Sequence, residues 1–227
     1  MSGRRLTGLS SMATRHILTD LARDYESQIG ARVEIRSMGG VEAAKLVRAG
    51  EATDVVILAS KVMASLEAED HLAKDATKDF ARSEIGIAVR AGLALPSVAN
   101  KRAVKLAMLD AGKICYSTGP SGDHLKALCE KWGVPLARTL VAPPGVPVAA
   151  LVANGDADLG FQQLSELIGQ PGIEVVGPLP PEIQAVTMFS AGVSIKSRDP
   201  ESARALVAYL ASVETAGAKR RHGMAPA

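Results

Sequence analysis

The sequence predicts an α/β protein of two similar lobes, each a doubly wound, mainly parallel sheet. Three observations predict it. Aromatic residues make up only 3% of the chain while hydrophobic residues reach 47%, so the core must be built from Ala, Val, Leu and Ile, the residues of helices packed on parallel strands. Short apolar runs of strand length alternate with stretches of helical period in the order β-α-β-α-β, which argues for a parallel sheet with right-handed crossovers. The same order begins again after Gly112.

Taken in order, Leu6 to Leu9 reads as a strand and Ser10 to Thr14 as a loop; Ile17, Leu18, Leu21, Ala22 and Tyr25 then mark one face of a helix that stops at Gly30. Ala31 to Ser37 alternates as a strand. Met38-Gly39-Gly40 leads into a helix through Ala43, Ala44, Leu46 and Val47, closed by Gly50, and Asp54 to Leu58 is a third strand. A strand from Ile85 to Arg90 is followed by a helix from Ala99 to Ala111. The second unit runs through strand Lys113 to Ser117, helix Asp123 to Trp132, strand Arg138 to Val141, helix Val146 to Ala153 and strand Ala157 to Phe161. Strands are expected at Ile173 to Val176, Ile183 to Met188 and Gly192 to Ile195, and Asp199-Pro200-Glu201 caps a last helix through Leu210.

Composition excludes several classes. Lys and Arg number 26 against 24 Asp and Glu, a net charge of +2, far from the basic excess that grips a phosphate backbone, so no nucleic-acid partner is expected. The cleanest apolar run, Val55 to Ala59, is five residues long, well short of the roughly 18 needed to span a bilayer. Cys115 and Cys129 lack a CxxC or a matching His pair and read as two buried free thiols, with no metal site. Met1-Ser2-Gly3-Arg4-Arg5 runs directly into Leu6 without an apolar leader core, which as written predicts a cytoplasmic protein, or a periplasmic one from which a signal peptide has been removed.

In open α/β sheets ligands sit beyond the carboxyl ends of the strands, where helix openings present unpaired N–H groups to negative charge. Four such loops are legible: Ser10 to Thr14, Ser37 to Val41, Thr118 to Asp123 and Pro144 to Pro147. Any one of them is an ordinary N-cap or tight turn. Four together, two per lobe, predict a cleft for a small anion between the lobes.

The run from Leu9-Ser10-Ser11-Met12 through Ser37-Met38-Gly39-Gly40 to Ala52-Thr53-Asp54-Val55-Val56-Ile57-Leu58 resembles the amino-terminal lobe of the molybdate-binding protein family, type 2 periplasmic binding proteins of ABC transporters. Pro120-Ser121-Gly122, Leu151 to Asp158 with Leu159-Gly160-Phe161, and Val175 to Pro180 follow the same pattern, so the resemblance covers almost the whole chain. It implies lobes at 1–82 with 189–227 and at 83–188, hinges near 81–84 and 181–189, a monomer without a cofactor, and, if exported, an ABC permease as partner. It also implies ligand contacts from Ser10, Ser11, Met12, Gly39, Gly40, Val41, Pro120, Ser121, Gly122, Val146, Gln162 and Gln163.

The departures fall in the implied pocket. The family holds its tetrahedral oxyanion with a Ser in the first loop, which Ser10 or Ser11 supplies, and a Ser after the Gly of the second, where Gly40 and Val41 stand. Its Tyr falls on Gln163, so Gln162-Gln163 presents amide donors and acceptors in its place. A fully ionised oxyanion wants donors only. The leading expectation is therefore a binding protein for an organic polycarboxylate. The alternatives are an isomerase resembling aconitate isomerase, which moves a proton along an allylic tricarboxylate, and a cytosolic ligand-sensing module. For an isomerase the acid–base candidates are His16 beside Arg15 and His124 beside Asp123, since histidine titrates near neutrality.

Other motifs fail inspection. Gly119-Pro120-Ser121-Gly122-Asp123 lacks the last Gly of a nucleophile elbow, and Met38 to Lys45 lacks the Gly-Lys-Ser/Thr ending of a phosphate loop. Asp156-Ala157-Asp158 offers too few ligands for a metal, and Lys219-Arg220-Arg221-His222 reads as a solvated basic end.

Overall fold

The computed structural model describes residues 5–227. Met1 to Arg4, which carry the reading of a leaderless start, lie outside the described residues. The chain divides into two compact units: the first runs to Ser83 and resumes at Met188, and the second spans Glu84–Thr187.

The first unit opens with β1 (Arg5–Ser11), α1 (Arg15–Ile29), β2 (Arg32–Met38), α2 (Gly40–Arg48), β3 (Val55–Ala59), α3 (Ser60–Ala68) and β4 (Leu72–Ser83). The predicted apolar face of α1 is buried from Ile17 to Tyr25, and the helix ends where Gly30 takes φ +66° and its N–H bonds to the carbonyl of Glu26. β1 pairs in parallel with both β2 and β3. Sequence reading passes over α3 and β4. Along β4 the buried positions recur every fourth residue at Leu72, Ala76 and Phe80, with Lys74, Asp75, Lys78 and Asp79 exposed, and Asp75 adopts a positive φ of 56°, so the period-2 signal of a strand is lost.

The second unit contains β5 (Ile85–Arg90), α4 (Lys101–Asp110), β6 (Ile114–Tyr116), α5 (Pro120–Trp132), β7 (Thr139–Val141), α6 (Val148–Ala153), β8 (Leu159–Gln163), α7 (Leu164–Leu167) and β9 (Ile173–Pro178). Its five-stranded sheet has the order β7-β6-β8-β5-β9. β6 pairs in parallel with β7 and β8, while β5 runs antiparallel to β8 and β9. Helix α5 begins three residues before the predicted Asp123, because Pro120 at its first position has a φ already suited to a helix.

The chain continues through β10 (Thr187–Ser194), α8 (Pro200–Ala211), α9 (Ala216–Arg221) and β11 (Met224–Pro226), and the six-stranded sheet of the first unit has the order β11-β4-β10-β3-β1-β2. The strands expected at 183–188 and 192–195 are one strand, β10; Ile183 instead closes a 3-10 turn from Pro181, whose neighbouring prolines have no N–H for a ladder. Asp199 caps α8 as read, its Oδ1 accepting from the Ser202 N–H.

The basic end is a correction to the sequence reading. It forms α9, where Lys219 is only 1% exposed with its Nζ 5.8 Å from the centre of the Phe80 ring, and His222 Nε2 lies 2.8 Å from Asp20 Oδ2 on α1. Alanines at 216 and 218 let the helix pack, carrying Lys219 inward with them. Both cysteines are buried and free. Burial pushes the Cys115 thiol up to about 12 and that of Cys129 to about 11, so both are inert as thiolates.

Candidate functional site

In the first unit, β1, β2 and β3 are parallel, so their carboxyl ends share one edge of the sheet. Register sets Ser10 opposite Ser37 and Ser11 opposite Met38. The Oγ atoms of Ser10 and Ser37 lie 2.7 Å apart. The hydroxyl counted as missing at Gly40 and Val41 thus has a neighbour in the same strand–helix opening, three residues upstream at Ser37. Ser11 is 7% exposed, and its Oγ makes no capping bond and has no hydrogen-bond partner. A Cβ on Gly40 would sit 3.8 Å from Ser11 Cβ, so the start of α2 runs beside that hydroxyl. Met12 is half-buried; Gly39 and Val41 are exposed.

The same edge holds a cluster that sequence reasoning missed. Ser60, the first residue after β3, has its Oγ 2.9 Å from Asp79 Oδ1 and 2.5 Å from Ser190 Oγ. The signal available was a Ser directly after an apolar strand; its partners on β4 and β10 could not be foreseen without the tertiary pairing.

In the second unit the parallel strands β6 and β8 end at Tyr116 and Gln163. After β6, Gly119 takes φ +100° as N-cap of α5, Pro120 is exposed, and Ser121 and Gly122 are buried. A Cβ at Gly122 would fall 1.6 Å from the carbonyl oxygen of Ser117. Glycine there is what lets the helix opening close on the end of β6. Val146, ahead of α6, is 36% exposed.

After β8, Gln162 and Gln163 are 4% and 3% exposed. Alternation along the strand sends them to opposite faces. Gln163 Nε2 donates to Thr187 Oγ1 at 2.8 Å, and Gln162 Nε2 donates to Glu166 Oε1 at 2.7 Å. The carbonyl oxygen of each amide is buried and has no partner. Glu166, another residue sequence reasoning missed, is half-buried, and loss of water raises its carboxyl to about 7 against the opposing bond from Gln162. Its sequence signal was a carboxylate four residues after Gln162, one helical turn on.

The two candidate histidines sit in different settings. His124 Nε2 lies 2.7 Å from the carbonyl oxygen of Ile183, which makes that nitrogen the donor and joins α5 to the 3-10 turn at Pro181–Ile183. His16 is exposed in the first turn of α1; partial loss of water, then Arg15 and His222, lower its pKa and favour the neutral ring. Among the described residues no group of three or more His, Cys, Asp or Glu is placed to hold a metal ion.

Two α/β units whose parallel strands end in hydroxyl- and amide-bearing helix openings fit the fold of a solute-binding protein. Residues 6–225 match the bacterial extracellular solute-binding protein family, and the chain belongs to it. It is similar to an aconitate isomerase from a Pseudomonas species, at 37% identity over 97% of this chain and 87% of that protein. The periplasmic molybdate-binding protein of Azotobacter vinelandii shares the fold, with a TM-score of 0.78 and 18% identity over 96% of this chain and 98% of that one. So does the substrate-binding domain of a molybdenum ABC transporter from Clostridium difficile, with a TM-score of 0.76 and 18% identity over 99% and 100% of the two chains. No helix of the described residues is long and apolar enough to cross a membrane.

Proposed function

We propose that this chain binds a small organic polycarboxylate and isomerises it by allylic proton transfer, with aconitate as the substrate class. One observation carries the binding half. Among the described residues, three of the five buried side-chain polar atoms without a partner belong to Ser11, Gln162 and Gln163, all at helix openings. Burying such an atom unbonded is costly, so at each of these openings, taken by itself, a ligand group that satisfies it is favoured. Amide oxygens accept hydrogen bonds, so a ligand group that meets them must be a donor; a protonated carboxyl can serve, whereas an ionised carboxylate or metal oxyanion cannot. Similarity to an aconitate isomerase along nearly the full chain supports the reaction, and a proton transfer needs an acid–base group.

Incubation with cis- or trans-aconitate, followed by separation of the two isomers, tests the reading. Approach to one equilibrium mixture from either side is expected. The second reading, capture of an organic anion for an ABC permease without chemistry, is favoured by the family itself. It predicts thermal stabilisation by di- and tricarboxylates with no interconversion. Stabilisation by molybdate or tungstate alone would overturn both. We further propose that the protein works outside the cytoplasm, as the family description implies; fractionation of cells expressing the native gene checks it.

A further inference from the structure

Resting on the isomerase reading, we propose that Glu166 is the group that carries the proton, with Gln162 as its positioning residue. Gln162 leaves the end of β8 with its amide N–H on Glu166 Oε1 and its own carbonyl oxygen buried without a partner. It is 4% exposed while Glu166 stays partly open to solvent. A carboxyl held in that way is oriented by a fixed donor and still able to exchange its proton.

The surroundings favour such a role. The elements packed on α7 are β5, β8 and α6, and among their residues the only ionisable side chain is Arg90. Arg90 lies four residues along β5 from Gly86, the cross-strand neighbour of Gln162, or about 13 Å by the rise of a strand. None of these three elements brings a cation beside the Glu166 carboxylate. With its pKa near 7, the group is present as both acid and base at neutral pH, which is where general acid–base catalysis is most effective. His124 already donates to Ile183, and α7 contains no other ionisable residue.

The step balances without an oxidant or co-reactant. The Glu166 carboxylate takes a proton from the methylene carbon of aconitate, and the C–H electron pair becomes the new C=C bond. The former C=C pair moves to the far carbon, which takes the proton back from the Glu166 carboxyl. Gln162 donates to the charged form and holds the oxygen in place.

The experiment uses the full chain, aconitate in deuterated water, and tricarballylate, the saturated tricarboxylate, as a binding probe. Glu166→Gln is expected to bind tricarballylate within about threefold of the unaltered protein and to lose both interconversion and deuterium uptake by 100-fold or more. Interconversion retained within tenfold would overturn the assignment while leaving the isomerase reading intact. If the unaltered protein binds but never interconverts aconitate, the isomerase reading fails and takes the assignment with it. Should Glu166→Gln not fold, the pH profile decides. The unaltered protein should gain kcat/KM through an apparent pKa near 7. Gln162→Leu, which removes the bond favouring the charged form, should move that limb to higher pH; an unmoved limb would overturn the role of Gln162.

Discussion

Asp54 and Thr7 are joined twice: Asp54 Oδ2 accepts the Thr7 N–H at 2.9 Å and the Thr7 hydroxyl at 3.0 Å. Its Oδ1 accepts from the Ser197 hydroxyl at 2.8 Å and from the Arg198 N–H at 3.1 Å. One buried carboxylate thus fastens β1, β3 and the turn before α8, which keeps the serine-bearing strand ends in register.

Asp54→Ala should destabilise the protein by about 3 kcal/mol, since it removes a buried charge-assisted network and leaves its donors unpaired. Burial alone would raise the Asp54 pKa, but the bonds from Thr7, Ser197 and Arg198 together outweigh it and hold the group below its ordinary value. The stability it contributes is present above the unfolded pKa of about 4 and is lost as pH falls through the folded one. Urea unfolding of the unaltered protein and of Asp54→Asn, at intervals from pH 6 down to pH 3, checks the sign: the gap between them should narrow with acid.

Under the proposed polycarboxylate reading, the Ser10–Ser37 pair should bear on binding more than on stability. Ser10→Ala removes a hydroxyl 2.7 Å from Ser37 and should weaken polycarboxylate binding roughly tenfold, the worth of one hydrogen bond to a charged group. Titration calorimetry with tricarballylate measures it. A loss of melting temperature larger than about 5 °C would mean that the pair is structural instead.

Gly122→Ala tests why glycine stands in the third loop. A methyl group 1.6 Å from the Ser117 carbonyl cannot be accommodated without moving backbone. We expect a loss of about 3 kcal/mol or more, seen as a lower denaturant midpoint. A near-neutral result would show that the opening of α5 is loosely held.

Lys219 is buried with no carboxylate beside it in the described structure, only the face of Phe80 at 5.8 Å, and burial lowers its pKa. Between that folded value and the unfolded value of about 10.4 the unfolded chain holds more protons, so stability should rise with pH across this window. Lys219→Met should remove that rise and stabilise the protein at pH 7 by about 1 kcal/mol. Denaturant midpoints at pH 7 and pH 10 for the two proteins decide it.

Much of the fold was legible because its elements announce themselves locally. The buried face of α1, the exact-length strand β5 and the Asp199 cap of α8 follow from spacing and capping chemistry within one element. β4 was illegible because its burial follows no period of two, and Lys219 because charge in sequence says nothing about which way a short helix turns. Within the candidate site, Ser10, Ser11, Gln162 and Gln163 stood out as residue types at helix openings, whereas Ser37, Ser60 and Asp79 gained meaning only from partners.

By itself, then, the sequence determined the alternation of strand and helix in two repeats, the positions of the helix-opening loops, and a resemblance in which the Gln162-Gln163 pair stands where that family has a Tyr. Tertiary structure decided which polar atoms are matched and which are left over. Ser10 meets Ser37 across 27 residues and Asp54 meets Ser197 across 143, because parallel strands are joined by crossovers that bring distant strand ends side by side. Period and capping are written within one turn or one strand; the partner of a buried hydroxyl, or the lack of one for Ser11 Oγ and the amide oxygens of Gln162 and Gln163, is a property of the packed sheet.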